Sequence, residues 1–497
     1  MPHVLRHVFA ALETRLNDIL DRALNTAQLE GARYVEARTV DARSQLIEVK
    51  NRQVSALTEN TSLGLGVRVI VDGAWGFAAS AEVNAADAEA CARLACRVAR
   101  AASKFRRGPV VLAPLDPVVA RYQTPFKLDP FEVPLADKIA LLVEATGIMQ
   151  QEKAVRVAQG NMQFWEERKH FASSEGARIE QRIVQSGAGL CAWAVGADDL
   201  QVRSYPNSFG GQYECNGYEL VERLDLLGHA AETAATAAAL LTAPVGPAGV
   251  TTVILDGSQM SLQLHESCGH PTELDRALGH EANYAGTSFL TPDQLGTLRY
   301  GSPAVSIVTD ATTPRGLGSF GFDDEGVPAQ KVDLVRAGRF VGYLTSRETA
   351  AMLGQTSNGT MRAESWSHIP LIRMTNVNLE PGTWTLEDLI ADTDDGLLLT
   401  TNRSWSIDDR RYNFQFGTEV GVEIKQGKRG RLLKNCTYTG ITPEFWGKCD
   451  AVCDAAHWEI WGTPNCGKGQ PSQTMRTAQG AAPARFRDVQ VGVGTGS

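Results

Sequence analysis

The segment His265-Glu266-Ser267-Cys268-Gly269-His270-Pro271 restricts its own backbone more than any other stretch of this chain. Upstream, VTTVILDGSQMSLQL reads as strand, turn and helix, with Asp256 or Ser258 as the N-cap. Met260, Leu264 and Cys268 recur at helical spacing and make an apolar stripe, with His265 beside it. A regular helix cannot continue past this point. Gly269 tolerates almost any backbone conformation, and Pro271 disfavours α geometry at His270. The helix is therefore predicted to end or bulge at 268–270.

The break bears on chemistry. In the H-E-x-x-H helix of zinc proteases, histidines at i and i+4 share a face and hold one ion. Here the i+4 position is Gly269, and His270 at i+5 would point about 140° away from His265 in a regular helix. A widened last turn would swing His270 back to the His265 side, and Gly269, lacking a side chain, would leave space for the metal. Glu266, next to the first histidine, is the natural general base. The plainer alternative is two histidines and a solvated glutamate near a helix end. A catalytic zinc keeps three protein ligands, and the nearby candidates for the third are Cys268, Glu273, Asp275 and His280. Cys268 lies on the apolar stripe and reads as packing. Glu273 and Asp275 read as partners that orient the imidazoles, and His280 as substrate-binding or structural. Farther on, Cys436, Cys449, Cys453, His457 and Cys466 crowd together, but without the paired close spacings of most zinc modules.

At 497 residues the chain is too long for one ordinary core. TAPVGPAG, with two prolines and two glycines, marks a boundary, giving an N-terminal domain over 1–242 and a C-terminal domain over 243–497. In the first, helix patterns near 9–26, 85–105, 134–150 and 219–241 alternate with strand-like runs such as YVEARTV, SQLIEVKNRQVSALT and LGLGVRVIVDGAWGFAAS. That pattern predicts an α+β fold, with helices on one face of a mainly antiparallel sheet. Pro-rich residues 108–130 read as a linker. The second half is mainly strands and turns, including VSIVTD and a hairpin in DLVRAGRFVGYLT.

Lys plus Arg number 48 against 57 Asp plus Glu, and a net charge of -9 argues against nucleic acid or an anionic membrane as partner. No apolar run approaches the ~20 residues that span a bilayer. The opening residues carry early acids, repeat their apolar positions at helical spacing and do not read as a signal peptide, so the expected compartment is the cytoplasm. Nine cysteines there are expected to be core thiols, metal ligands or reactive groups. Two motifs are decoys. GLGSFG, 316–321, fits G-x-G-x-x-G but runs into FDDEGVPAQ, where acids would repel phosphate and no helix begins. GTPNCGKG, 462–469, has Gly469 where a P-loop needs Ser or Thr.

HESCGHPTELD resembles the His-Glu-x-x-Gly-His signature of the TldD half of the TldD/PmbA (TldE) metallopeptidase family. FDDEGVPAQ (322–330), GRFVGYLTSRETA (338–350), IRMTNVNLEP (372–381) and NCGKGQ (465–470) agree in order and spacing, and SLGLGVRVIVDGAWGFAAS matches more loosely. The Cys- and Trp-rich stretch FWGKCDAVCDAAHWEIW departs from the family pattern. The resemblance implies a mainly β C-terminal metallopeptidase domain. It also implies a metal, expected to be one Zn²⁺ per active subunit, held by His265, His270 and Cys466, with Glu266 as catalytic base. PmbA-type paralogues lack the metal motif, so this chain resembles the active subunit. The expected substrate is an unfolded or extended peptide, and the expected partner a PmbA/TldE-like paralogue or a second copy of the chain. A regulatory or scaffolding subunit, and a metal-dependent amidase acting on a small molecule, are the alternatives.

Overall fold

Two tight turns shape the N-terminal sheet. The structure is a computed structural model that describes residues 2–492, with side chains from residue 16 onward. Helix α1 (Pro2–Leu29) leads into β1 (Tyr34–Lys50), β2 (Gln53–Val71) and β3 (Ala74–Ser80). The run YVEARTV and the start of SQLIEVKNRQVSALT, read separately from the sequence, form one strand, and the turn falls inside the second predicted run at Asn51-Arg52. Asn51 and Arg52 both take left-handed φ, as do Asp72 and Gly73 between β2 and β3. Two-residue turns of this kind match the right-handed twist of the strands they join.

The sheet continues through α2 (Ala85–Ser103), β4 (Val119–Gln123), α3 (Leu135–Met149), β5 (Val155–Ser173), β6 (Arg178–Val195), β7 (Leu200–Tyr205) and β8 (Gln212–Glu214). Its order is β3-β2-β1-β5-β6-β4, with β7 and β8 also paired to β6. Every pairing is antiparallel except β4 with β6. Residues 108–130, expected to be a linker, thus contribute an edge strand. They are also tied to the C-terminal half, since Ala113 N donates to Arg347 O and Arg347 Nε donates back to Ala113 O, both at 2.9 Å. Val35, Ala37 and Ile47 of β1 share a parity and face the helices, α1 and α2 at one end and α3 at the other. The helix expected over 219–241 is two, α4 (Glu219–Leu224) and α5 (Leu226–Thr242). Asp225 separates them in left-handed conformation, and its carboxylate accepts from Gly228 N to cap the second.

In the C-terminal half, β9 (Gly249–Leu255) pairs in parallel with Asp395–Ile407 and antiparallel with Ala484–Val491. Ala484–Val491 pairs with Thr437–Ile441, which pairs with Asn413–Lys425, which returns to Asp395–Ile407. The five strands close into a barrel with no edge left inside the ring. Phe414, Phe416, Tyr438, Phe445 and Phe486 pack together in its core, with Phe445 and Phe486 stacked at 4.1 Å between centroids. The strand predicted in VSIVTD, observed as Ile307–Asp310, and the hairpin at Ala337-Gly338 form part of a separate four-stranded sheet. Among the described residues no helix is long and apolar enough to cross a membrane.

The other face of the N-terminal sheet meets the C-terminal half through buried ions. Arg68 on β2 bonds Glu36 at 2.7 Å and Glu325 at 2.8 Å, and Lys169 on β5 lies 3.4 Å from Asp324. Asp324 and Glu325 belong to the FDDEG stretch that follows GLGSFG, so these acids are engaged in buried ion pairs.

Candidate metal centre

Helix α6 (Gly257–Leu264) starts one residue after β9 and is buried along its whole length. Asp256 caps it, accepting from Gln259 N at 2.9 Å, while Ser258 Oγ donates to the same carboxylate. The apolar stripe describes only part of its burial. On its polar side Gln259 and Gln263 bond the Tyr438 hydroxyl at 2.9 Å, and Ser267 accepts from Trp446 Nε1 at 2.9 Å. Barrel side chains therefore satisfy the polar groups that solvent would meet on a surface helix.

The helix widens where the sequence says it must. His265–Gly269 is a π-turn, with His270 N donating to the carbonyl of His265, and a 3-10 turn at His270–Thr272 follows. The extra residue per turn brings the imidazoles to 4.9 Å between centroids, nearly perpendicular at 86°. Cys466 comes from the hairpin of Glu459–Lys468 and Gln473–Ala481, opposite Met475. One ligand-type atom from each of His265, His270 and Cys466 lies within 4.8 Å of the others, and all three residues are buried. Cys466 Sγ is 3.7 Å from His270 Nε2, close to the ~3.6 Å separation of sulfur and nitrogen on a tetrahedral zinc.

The surroundings fit a cation. His270 Nδ1 is 3.1 Å from Glu273 Oε2, which favours the tautomer that leaves Nε2 bare toward Cys466. His265 Nδ1 is buried without a hydrogen-bond partner, a basic nitrogen that an ion would satisfy. Burial works against a thiolate at Cys466, but His265, His270 and Arg373 outweigh it and hold the thiol well below its usual range. Burial depresses His270 well below the ordinary imidazole value and keeps it neutral. A thiolate and a neutral imidazole are the forms that bind metal.

Glu266 is also buried, and Arg411 NH1 donates to its Oε2 at 2.8 Å. Arg411 is held at φ +62° by Arg411 N donating to Asp408 O and by Thr442 Oγ1 donating to Arg411 O, each at 2.9 Å. Left-handed backbone costs a non-glycine residue about 1–3 kcal/mol, and such residues gather at active sites. Nothing in DDRRYNF signals this contact, which joins residues 145 positions apart.

Behind His270, Lys468 reaches Asp275 at 2.7 Å, Glu273 at 3.4 Å and Ile372 O at 2.6 Å, clamping the cysteine hairpin to the helix end. Glu273 orients an imidazole as expected. Asp275 instead holds this lysine. Glu281 bonds Arg276 and Gly469 N, and burial together with the Glu273 carboxylate pushes its pKa up to about 7. His280 lines a cavity beside the hairpin tip.

The role expected of Gly269 needs correction. Gly269 does not make room for an ion: a Cβ there would meet Met374 Sδ at 2.0 Å, so the glycine lets a buried methionine pack against the π-turn. Gly269→Ala is expected to destabilise the fold by about 1–3 kcal/mol through overpacking, and Gly269→Ala/Met374→Ala to be less destabilised than the sum of the single variants. Denaturant unfolding of the four proteins checks this; strict additivity would place the strain elsewhere. In keeping with their spacing, Cys436, Cys449, Cys453 and His457 do not join the cluster. Burial raises each of the three thiols to about 12, and His457 Nδ1 bonds Asp454 at 2.7 Å. Cys268 is likewise core, its thiol pushed up to about 12 by burial.

Models of three PmbA/TldA metallopeptidase domains match the chain: domain 1 over 35–99, the central domain over 128–241 and the C-terminal domain over 248–493. A metalloprotease of Methanocaldococcus jannaschii is 28% identical over 85% of this chain and 90% of its own length. A Synechocystis metalloprotease is 28% identical over 97% and 98%, and a Haemophilus influenzae metalloprotease TldD homologue 26% over 86% of each. The crystal structure of TldE from Thermococcus kodakarensis shares the fold, with a TM-score of 0.72 at 16% identity, covering 96% of this chain and all of that one. With its domains matched in order along the chain, and its His-Glu-x-x-Gly-His helix facing the hairpin cysteine, the protein belongs to the PmbA/TldA metallopeptidase family.

Proposed function

We propose that the chain is a zinc-dependent, TldD-like peptidase that hydrolyses unfolded or extended peptides. The observation that carries this reading is the buried His265-His270-Cys466 cluster with an acid, Glu266, on the same turn. Zinc held by these three side chains would supply Lewis acidity and a water acidified to a pKa of about 7. Glu266 takes the water proton on the carboxylate oxygen that Arg411 leaves free, then returns it to the departing amine. Arg411 fixes the carboxylate in place, and Glu273 fixes the ring of His270. The Cys466 thiolate donates more charge than a third histidine would, which blunts the Lewis acidity somewhat. The strand-rich surroundings suit an extended peptide held by main-chain pairing, which tolerates varied sequences. Likeness to TldE supports a paired assembly, with a PmbA/TldE-like paralogue or with a second copy.

A purely structural metal in a regulatory subunit would not need Glu266 beside it. Zinc-loaded protein, offered a panel of unfolded peptides and small amides, is expected to cleave the peptides, to stop on chelation and to spare the amides. Turnover of small amides alone would identify an amidase, and bound zinc with no turnover would identify a regulatory or scaffolding subunit.

A further inference from the structure

A cavity of about 400 Å³ opens between the N-terminal sheet and the hairpin that carries Cys466. Gly469 and Gln470 at the hairpin tip, Asp275 and His280 after the metal helix, and Ile372 line one side. Lys468, two residues after Cys466, is bonded to two of these lining residues, Asp275 and Ile372 O. Part of the lining is apolar: Trp75 and Phe77 on β3, with Ile369 and Leu371, border the cavity, and all four keep part of their surface open.

The apolar wall is built rather than incidental. Trp75 Nε1 donates to Glu348 at 2.9 Å, and the Arg68 guanidinium lies 4.1 Å from the Trp75 ring centroid. Arg68 is itself fixed by Glu36 and Glu325. Between the two aromatics, a Cβ on Gly76 would meet Ala95 O at 2.1 Å, so β3 is pressed onto α2 and cannot recede. An aromatic surface held from behind, in a cavity that polar groups such as His280, Ser346 and Gln470 also line, has the make-up of a preformed small-ligand pocket, and its size is at the small end of such sites.

We infer that this cavity is a specificity pocket that receives one apolar side chain, aromatic or branched, of the bound peptide. The inference rests on the peptidase reading and adds the class of residue recognised. The backbone of an extended peptide passing the cluster would run along the hairpin, and every second side chain would turn to the same side. The wall shared by Gly469, Gln470 and Asp275 is the part of the cavity contiguous with the metal ligands in the chain.

The test uses zinc-loaded Glu266→Gln protein, which would hold peptides uncleaved, and a peptide series in which a single Phe replaces Ala at successive positions. Binding is expected to favour Phe by about 10- to 100-fold at one position, the range for burying one large apolar side chain. Ile369→Trp, which fills the cavity, should remove most of that preference. Phe77→Ala, which loosens the wall, should reduce it, and serves if the tryptophan variant does not fold. Absence of a preferred position, or a preference unchanged in both variants, would overturn the inference. Wild-type turnover without positional preference would sink the pocket alone. Selective binding without wild-type turnover would sink the peptidase reading and leave the pocket standing.

Discussion

Glu266→Gln protein is expected to bind zinc at the wild-type level and to cleave peptides about 10²- to 10⁴-fold more slowly, the usual contribution of a positioned general base. Glutamine is the informative replacement because it keeps the length of the side chain and an oxygen for Arg411 NH1, which bonds Glu266 at 2.8 Å. Alanine would leave that buried guanidinium without its anionic partner, and breaking a buried pair costs about 3–5 kcal/mol on its own. The amide cannot accept a proton, so a rate loss with full metal and an unchanged melting temperature isolates the proton transfer. Metal analysis of the purified protein and single-turnover cleavage of one unfolded peptide give both readouts. Undiminished cleavage would remove Glu266 from the chemistry.

The second large effect is expected from Cys466→Ala, which should lower zinc affinity by at least about 10²-fold and abolish cleavage with it. The hairpin should survive. Its clamp runs through the neighbouring Lys468, which bonds Asp275, Glu273 and Ile372 O, and through Arg373, which donates to the Cys466 carbonyl rather than to its sulfur. Two histidines alone leave the ion with one protein donor fewer than a catalytic zinc usually has. Zinc titration against a competing chelator, with circular dichroism to check the fold, measures the loss. Wild-type affinity in the alanine variant would mean that the third donor is another residue.

The parts of this molecule that were legible in the sequence are those governed by nearest neighbours along the chain. A glycine and a proline flanking His270 forecast a break at 268–270, and the π-turn falls at His265–Gly269 because the backbone there has no regular alternative. Helices α2 and α3 lie where the apolar spacing put them. The same local rules missed Asp225, whose left-handed backbone splits a helix that looks continuous in composition. They also missed the turn at Asn51-Arg52, since neither residue is the glycine that usually marks such a site.

Tertiary structure decided what local rules cannot reach. Five strands scattered between Gly249 and Val491 close a barrel, and that closure buries α6 on every side. Arg411 reaches Glu266 across 145 residues, and Cys466 reaches His270 across 196. Gly269 shows the division at a single residue. Its freedom to bend was readable from its identity, but what it makes room for is Met374, a neighbour that only folding supplies. Backbone preference belongs to each residue and its immediate neighbours, whereas the partner of a side chain depends on which distant segments the packing of the core brings beside it.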